Sequence, residues 1–282
     1  MYIFLLLAVL AVAVPTKKVP IDVGSVLSAT SIFYSILLGF FVAASMTNLS
    51  RLKTLVAIET GALIAMYNIV ALSLPQKLDE MRAAIDCYLI KRFDYEVHQY
   101  VEPTTKEFFS IFDVLKGAQT KSEGEAAALD YIAEGMYYVP QARREITIVG
   151  AKIVTGMSWI LLNVLSLLIV FLLFLLRDGS LESALVTALL STSAFLALLI
   201  LNDIDSNRFG EAQFSINTYE DVFSAIGKPR YYPTSYIKTG RHKPRVGEYR
   251  TGTSSHHYLV RKKRFSKAKP VDIANVPMID PS

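Results

Sequence analysis

Asp22 and Arg51 bracket 28 residues without a charged side chain, Val23 to Ser50. About 20 apolar residues in a helix cross the hydrocarbon core of a bilayer, so this run is a membrane-spanning helix with turns to spare. Beyond it, Leu52 to Leu74 stays apolar apart from Lys53 and Glu59, and the stretch stops at Pro75. Residues 23–75 therefore read as a span that runs past the interface into a second, protein-buried segment. That segment is apolar all round, the pattern of a helix buried in protein or membrane, with Ala57, Gly61, Ala65 and Asn68 on one side. A tight hairpin between two spans at Asn48–Lys53 is the alternative.

The spanning part has a face of small residues. Ser31, Ser35, Gly39, Ala43 and Thr47 recur every four positions and so stack along one side of a helix. Phe33, Tyr34, Leu37, Phe40 and Phe41 lie opposite. Small residues let helix backbones approach closely in lipid, which makes this face a helix-packing seam. Its hydroxyls and open backbone also suit a conduction path.

Two more uncharged runs follow, Ile153–Leu176 and Ser183–Asn202, joined by a turn at Arg177–Glu182. Trp159 sits near one end of the first, where an interfacial anchor belongs. Met1–Val14 is apolar but short. It reads as a retained first helix, with the Ala11-Val12-Ala13 pattern leaving a cleaved signal as the alternative. The chain's 52% apolar content is concentrated in these runs, which excludes an ordinary soluble domain. The lone Cys87 excludes an internal disulfide framework.

Residues 76–150 change character. Leu78, Met81, Ala84, Ile85 and Leu89 keep helical spacing among charged residues. Thr104 with Glu107 has the form of a capping box before Phe108. Gly117–Gly124 reads as a loop, helix resumes over Glu125–Tyr138, and Gln141–Lys152 carries charge towards the membrane. From Lys228 the chain is basic, with interleaved Tyr231, Tyr232, Tyr236, Tyr249 and Tyr258, and its composition predicts a largely disordered tail.

The expected fold class is all-α. It is an integral membrane helical bundle of about four spans, with a helical cytoplasmic domain and a disordered basic C-terminal tail. Its parts are a first membrane helix and loop (1–22), the long helix (23–75), the helical domain (76–150), two spans (151–203), a post-membrane segment (204–227) and the tail (228–282). Four spans put the N-terminus, the helical domain and the tail on one side. That side holds nearly all Lys and Arg, so it is cytoplasmic by the positive-inside bias; Lys17, Lys18 and Arg177 are the exceptions.

Glu59 is the most isolated acid in an apolar stretch, and such residues are functional candidates. A structural pairing with Arg143 or Arg144 is the competing reading. Asp203 and Asp205 close the last span; a ring of such acids in an oligomer would attract cations, and a helix end facing the interface is the plainer account. Arg261, Lys262, Lys263 and Arg264 suit contact with anionic lipid headgroups, with nucleic acid the less favoured partner. His98, His242, His256 and His257 lack metal-ligand spacing, and no catalytic triad, phosphate loop or zinc motif occurs. No enzyme activity, metal or cofactor is expected.

The sequence resembles the bacterial bestrophin-like family over roughly residues 23–223. The resemblance rests on Leu55, Val56, Glu59, Ala62, Leu63, Tyr67, Leu74 and Pro75, on Ala142, Arg143 and Arg144 leading to Trp159, and on Asp203, Ile204, Asp205 and Gly210. The family's Pro-Phe pair is replaced around Asn207, Arg208 and Phe209, so that signature's role is not carried over. The resemblance implies a multi-pass protein of a cell membrane, a bacterial inner membrane, that assembles as a homo-oligomer around a pore for small inorganic ions. A non-conducting scaffold or sensor, recruiting partners through the helical domain and tail, is the alternative.

Overall fold

The structure is a computed structural model that describes residues 9, 22–116, 122–206, 211–238, 248–253 and 255–261, with backbone alone for 211–217 and 261. The expected first span at Met1–Val14 lies outside the described residues except for Val9. So do the tail cations Lys262, Lys263 and Arg264.

A single helix of 51 residues, α1 (Val23–Ser73), carries the long apolar stretch. At 1.5 Å per residue it is about 77 Å long, more than twice the ~30 Å of a bilayer core, so a large part of it must lie outside lipid. Asp22 starts it, accepting hydrogen bonds from the Ser25 amide at 3.2 Å and the Ser25 hydroxyl at 2.5 Å. Leu74 and Pro75 stop it; proline cannot continue the hydrogen-bond ladder, and a short 3₁₀ turn, Pro75–Lys77, follows.

The chain forms two compact units. The first comprises Met1–Leu49 and Lys152–Phe209. With the first part of α1 it contains α5 (Gly156–Leu175) and α6 (Leu181–Asp205). The intervening α2 (Leu78–Arg92), α3 (Thr105–Asp113) and α4 (Glu123–Val149) belong to the second unit. Three of the described helices, α1, α5 and α6, are long and apolar enough to cross a membrane. Thr155 and Ser180 cap α5 and α6 through the amides of Ser158 and Ser183. Gly179, at φ 89°, makes the tight turn between them. Tyr34 of α1 packs among Leu162, Leu165, Ile169, Leu198 and Leu201, and its hydroxyl donates to the Ala194 carbonyl at 3.0 Å.

The second unit comprises Ser50–Ala151 and Gly210–Ser282. To the rest of α1 and to α2–α4 it adds α7 (Glu211–Ala225), β1 (Tyr231–Pro233), α8 (Thr234–Lys238), β2 (Glu248–Gly252) and β3 (His257–Arg261). The expectation that Leu52–Leu74 is buried all round is only half met. Leu55, Val56, Leu63, Met66 and Val70 are buried, whereas Ile58 and Leu72 are exposed and Ala57, Gly61 and Asn68 lie on the open side. The helix expected to end at Tyr138 instead continues through Pro140 as part of α4, because Val139, Ala142, Arg143 and Ile146 on either side are all buried and hold it in place. The capping box at Thr104 is also absent: its hydroxyl donates to the Tyr100 carbonyl at 2.7 Å and accepts from Arg143, so it makes no cap.

The largest correction concerns the tail. Its described residues are folded rather than disordered, and the all-α reading gives way to a mostly helical fold with a small sheet. β1 pairs parallel to β2, and β2 antiparallel to β3, in the order β1-β2-β3. Composition misleads here because the interleaved tyrosines are core residues. Tyr231, Tyr232 and Tyr249 are buried, and Phe93 packs against the Tyr231 ring at 6.0 Å. Burying side chains of this size stabilises by about 1.5–3 kcal/mol each, enough to order a short polar segment. At the β2–β3 turn Gly252 has φ 152°, and a Cβ there would lie 2.1 Å from the His256 carbonyl oxygen; only glycine fits.

Candidate functional site

Glu59 lies at 0% exposure on the second part of α1. Position 59 shares the helix face of Leu55, Val56, Leu63 and Met66, so the fold that buries those side chains buries the carboxylate too. Three tyrosine hydroxyls donate to it: Tyr88 from α2, Tyr100 at 2.5 Å from the loop after α2, and Tyr219 at 2.8 Å from α7. Arg143 of α4 adds an ion pair, Nε to Oε1 at 3.6 Å, too long for a hydrogen bond. The Arg143 guanidinium is held from the other side by Thr104 Oγ1 at 2.8 Å and the Val101 carbonyl at 3.1 Å, and it lies 4.0 Å from the Phe108 ring centre.

A second buried arginine completes the cluster. Arg92, the last residue of α2, sits 4.1 Å from the Tyr219 ring centre and 4.6 Å from that of Tyr100. Cations over aromatic faces are stabilised by the ring quadrupole, more strongly when desolvated. Burial opposes the Arg92 charge, but the tyrosine oxygens and the Glu59 carboxylate outweigh it and raise its pKa. Burial, reinforced by the negative charge on Glu59, holds the Tyr88 and Tyr100 hydroxyls well above the usual tyrosine range. Burial likewise raises Tyr219, against the pull of Arg92. All three therefore remain protonated donors near neutral pH. The cluster meets no solvent at Glu59, and its chemistry is that of a tie: one carboxylate joins α1, α2, α4, α7 and the loop between α2 and α3.

Of the sequence candidates, Glu59 and Arg143 come together here, while Arg144 is exposed. Asp205 is buried in the first unit at the end of α6. Its Oδ1 accepts the amides of Ile153 at 2.9 Å and Val154 at 3.1 Å, with the Ser45 hydroxyl at 3.4 Å. It holds the chain entering α5, whereas Asp203 is exposed. Asp205→Ala is expected to lower stability by about 2–4 kcal/mol, since each buried amide left unpaired costs about 1–3 kcal/mol. Thermal unfolding of the detergent-solubilised protein measures this, and a change under about 0.5 kcal/mol would make the contact incidental. Along α1, Ser35, Gly39, Ala43 and Thr47 are exposed and Ser31 is half-buried. Of the residues expected opposite, Tyr34, Leu37 and Phe41 pack within the first unit with Leu38, whereas Phe33 and Phe40 are exposed. Arg261 lies in β3 with no described side chain.

Sequence reasoning missed Tyr88, Tyr100, Tyr219 and Arg92. Glu59 announced itself by isolation, but its donors are spread 29, 41 and 160 positions away. Also missed was Asp86, bound at both oxygens by Arg250 of β2 at 2.5 and 2.7 Å. Among the described residues no group of His, Cys, Asp and Glu could hold a metal ion.

The Bestrophin-like domain matches residues 3–208 of the chain. No curated protein and no solved structure matches it.

Proposed function

Because the chain belongs to the bestrophin-like family, we propose that this membrane protein is an oligomeric ion channel or channel-like pore. The observation that supports the reading is the uncovered small face of α1. Its own chain packs Tyr34, Leu37, Leu38 and Phe41 and leaves Ser35, Gly39, Ala43 and Thr47 open, together with Phe33 and Phe40. Copies arranged with that face inward would line a narrow path with hydroxyls and backbone, the kind of lining that ion pathways use. With Asp205 engaged in its own subunit, Asp203 is the acid left to face such a path.

Gly39→Leu tests this. A Cβ at Gly39 meets nothing within 4 Å, so the substitution spares the chain's own packing and acts on whatever lies beyond it. Current through planar bilayers, or assembly in lipid nanodiscs, should be lost while thermal unfolding of the subunit is unchanged. Phe33→Leu, at another exposed position, should leave both intact. A monodisperse monomer with no current under either a cation or an anion gradient would refute the channel and leave a scaffold that recruits partners. The folded C-terminal sheet is the observation that favours that second reading.

A further inference from the structure

We propose that the trough between α1 and α4 in the second unit is a docking site for a basic amphipathic helix of a partner protein. The proposal is independent of whether the chain conducts ions.

Two open hollows lie between these helices, about 560 and 270 Å³ in volume. Ala65 and Tyr131 bound both, so they join into one trough that follows α1 from Ile58 to Ser73. That stretch is about 22 Å long, roughly four helical turns. Gly135 of α4 keeps the trough open, and Ile58, Leu72, Tyr131 and Tyr138 line it as exposed apolar and aromatic surface. An apolar hollow along a pair of helices is the form that receives the apolar face of a third. Both walls are held from behind. Leu63, Met66 and Val70 of α1 are buried in the core of the second unit, as are Ala128, Ile132 and Val139 of α4. A partner helix would therefore meet a preformed trough rather than have to order it, which lowers the entropic cost of binding.

Charge identifies the occupant. Helical spacing sets Glu123, Asp130 and Glu134 beside Tyr131 and Tyr138 on α4, where they rim the trough. All three are exposed, and no salt bridge to a described residue engages them. No cation offsets them along the trough. α1 has no Lys or Arg between Lys53 and Lys77, and α4 has none before Arg143. Arg143 is itself buried against Glu59, and Arg144 lies ten positions beyond Glu134, about 15 Å along the helix. A trough rimmed by carboxylates is a poor surface for hydrocarbon and repels anionic headgroups. It suits an apolar helix face flanked by Lys or Arg.

The test uses the full-length protein in nanodiscs of neutral lipid, with empty nanodiscs as the background. The probe is a fluorescent helical peptide of about four turns, with leucines on one face and lysines along one flank. It should bind above the background, weaken as salt rises, and lose about tenfold in affinity when Asp130→Asn and Glu134→Gln are combined. Gly135→Leu fills the trough, and a Cβ there meets nothing within 4 Å. It should abolish binding while thermal unfolding stays unchanged. A peptide of the same composition, scrambled so that it has no apolar face, should not bind, and that control needs no change to the protein. Equal binding of the scrambled peptide would overturn the proposal in favour of charge alone. Equal binding of a peptide with glutamate for lysine would overturn the basic occupant, and undiminished binding to Gly135→Leu would place the peptide elsewhere. No binding above the background would also overturn the proposal. If the protein instead associates with itself as concentration rises, and Gly135→Leu prevents this, a second copy covers the trough.

Discussion

Glu59→Ala should leave the second unit unfolded or barely folded at ordinary temperatures. Removing one partner of a buried ion pair costs about 3–5 kcal/mol because the other charge is stranded. Here that charge is Arg143, at 3% side-chain exposure. The hydroxyls of Tyr88, Tyr100 and Tyr219 lose their acceptor at the same time, at about 1–3 kcal/mol for each buried group left unpaired. Together these losses are of the order of the entire stability of a domain, about 5–15 kcal/mol. Glu59→Gln keeps the size and one acceptor oxygen, so it should fall between wild type and alanine. Thermal unfolding by circular dichroism, with yield from the membrane fraction, separates the three. An alanine variant within about 1 kcal/mol of wild type would show that the cluster contributes little. The same cluster sets a response to alkali. Tyr88 and Tyr100 hold their protons in the fold well above the ordinary tyrosine range, while in the unfolded chain they titrate near about pH 10. Their contribution is therefore complete below that pH. It is lost progressively as pH rises, because the unfolded state then binds fewer protons than the folded one.

Arg250→Ala should release the C-terminal sheet. The Asp86 carboxylate would be left unpaired at 12% side-chain exposure, and the guanidinium, 5.3 Å from the Phe223 ring centre, would be lost as a packing element. About 3–5 kcal/mol is again the expected cost. The readout is cleavage: limited proteolysis should cut within β2 (Glu248–Gly252) and β3 (His257–Arg261) in the variant and spare both strands in wild type. Asp86→Ala should behave alike, and the two changes together should cost less than their sum, since a double-mutant cycle isolates the coupling of residues in contact. Replacing the pair with Asp86→Leu and Arg250→Met should recover part of the loss, because apolar residues of similar size often substitute for a buried ion pair. A sheet as protease-resistant in Arg250→Ala as in wild type would show that burial of Tyr231 and Tyr232 suffices.

Three long apolar helices were legible because bilayer thickness translates directly into a count of uncharged residues: α1, α5 and α6, each long and apolar enough to cross a membrane, begin at the runs flanked by Asp22, Lys152 and Glu182. Most of the residues that carried the family resemblance are core residues. Leu55, Val56, Glu59, Leu63, Tyr67, Leu74, Ala142 and Arg143 are buried in the second unit, whereas Pro75, Arg144 and Asp203 are exposed. The tail was misread because composition averages over residues that do different work. Its lysines and arginines argue for solvation, yet three of its tyrosines and one of its arginines are buried. Nothing local to Arg250 shows that Asp86, 164 positions earlier, neutralises it. Thr104 shows the same limit at shorter range: its spacing to Glu107 fits a cap, but Arg143 competes for the hydroxyl.

The second unit is discontinuous in sequence: residues 50–151 are made first, and 210–282 only after α5 and α6. During synthesis Glu59 therefore waits for Tyr219, and Asp86 waits for Arg250, across 160 and 164 positions. Contacts of such separation form late, since the loop-closure entropy is spent before they give anything back. Until residues 210–282 have been made, the early segment carries Asp86 without Arg250 and Glu59 without Tyr219, a form prone to aggregation and capture by chaperones. A chain cut short before α7 would keep Tyr88, Tyr100 and Arg143 around Glu59 but lack Tyr219, and would leave Asp86 without Arg250, so truncation would tell most on the Asp86 side of the second unit.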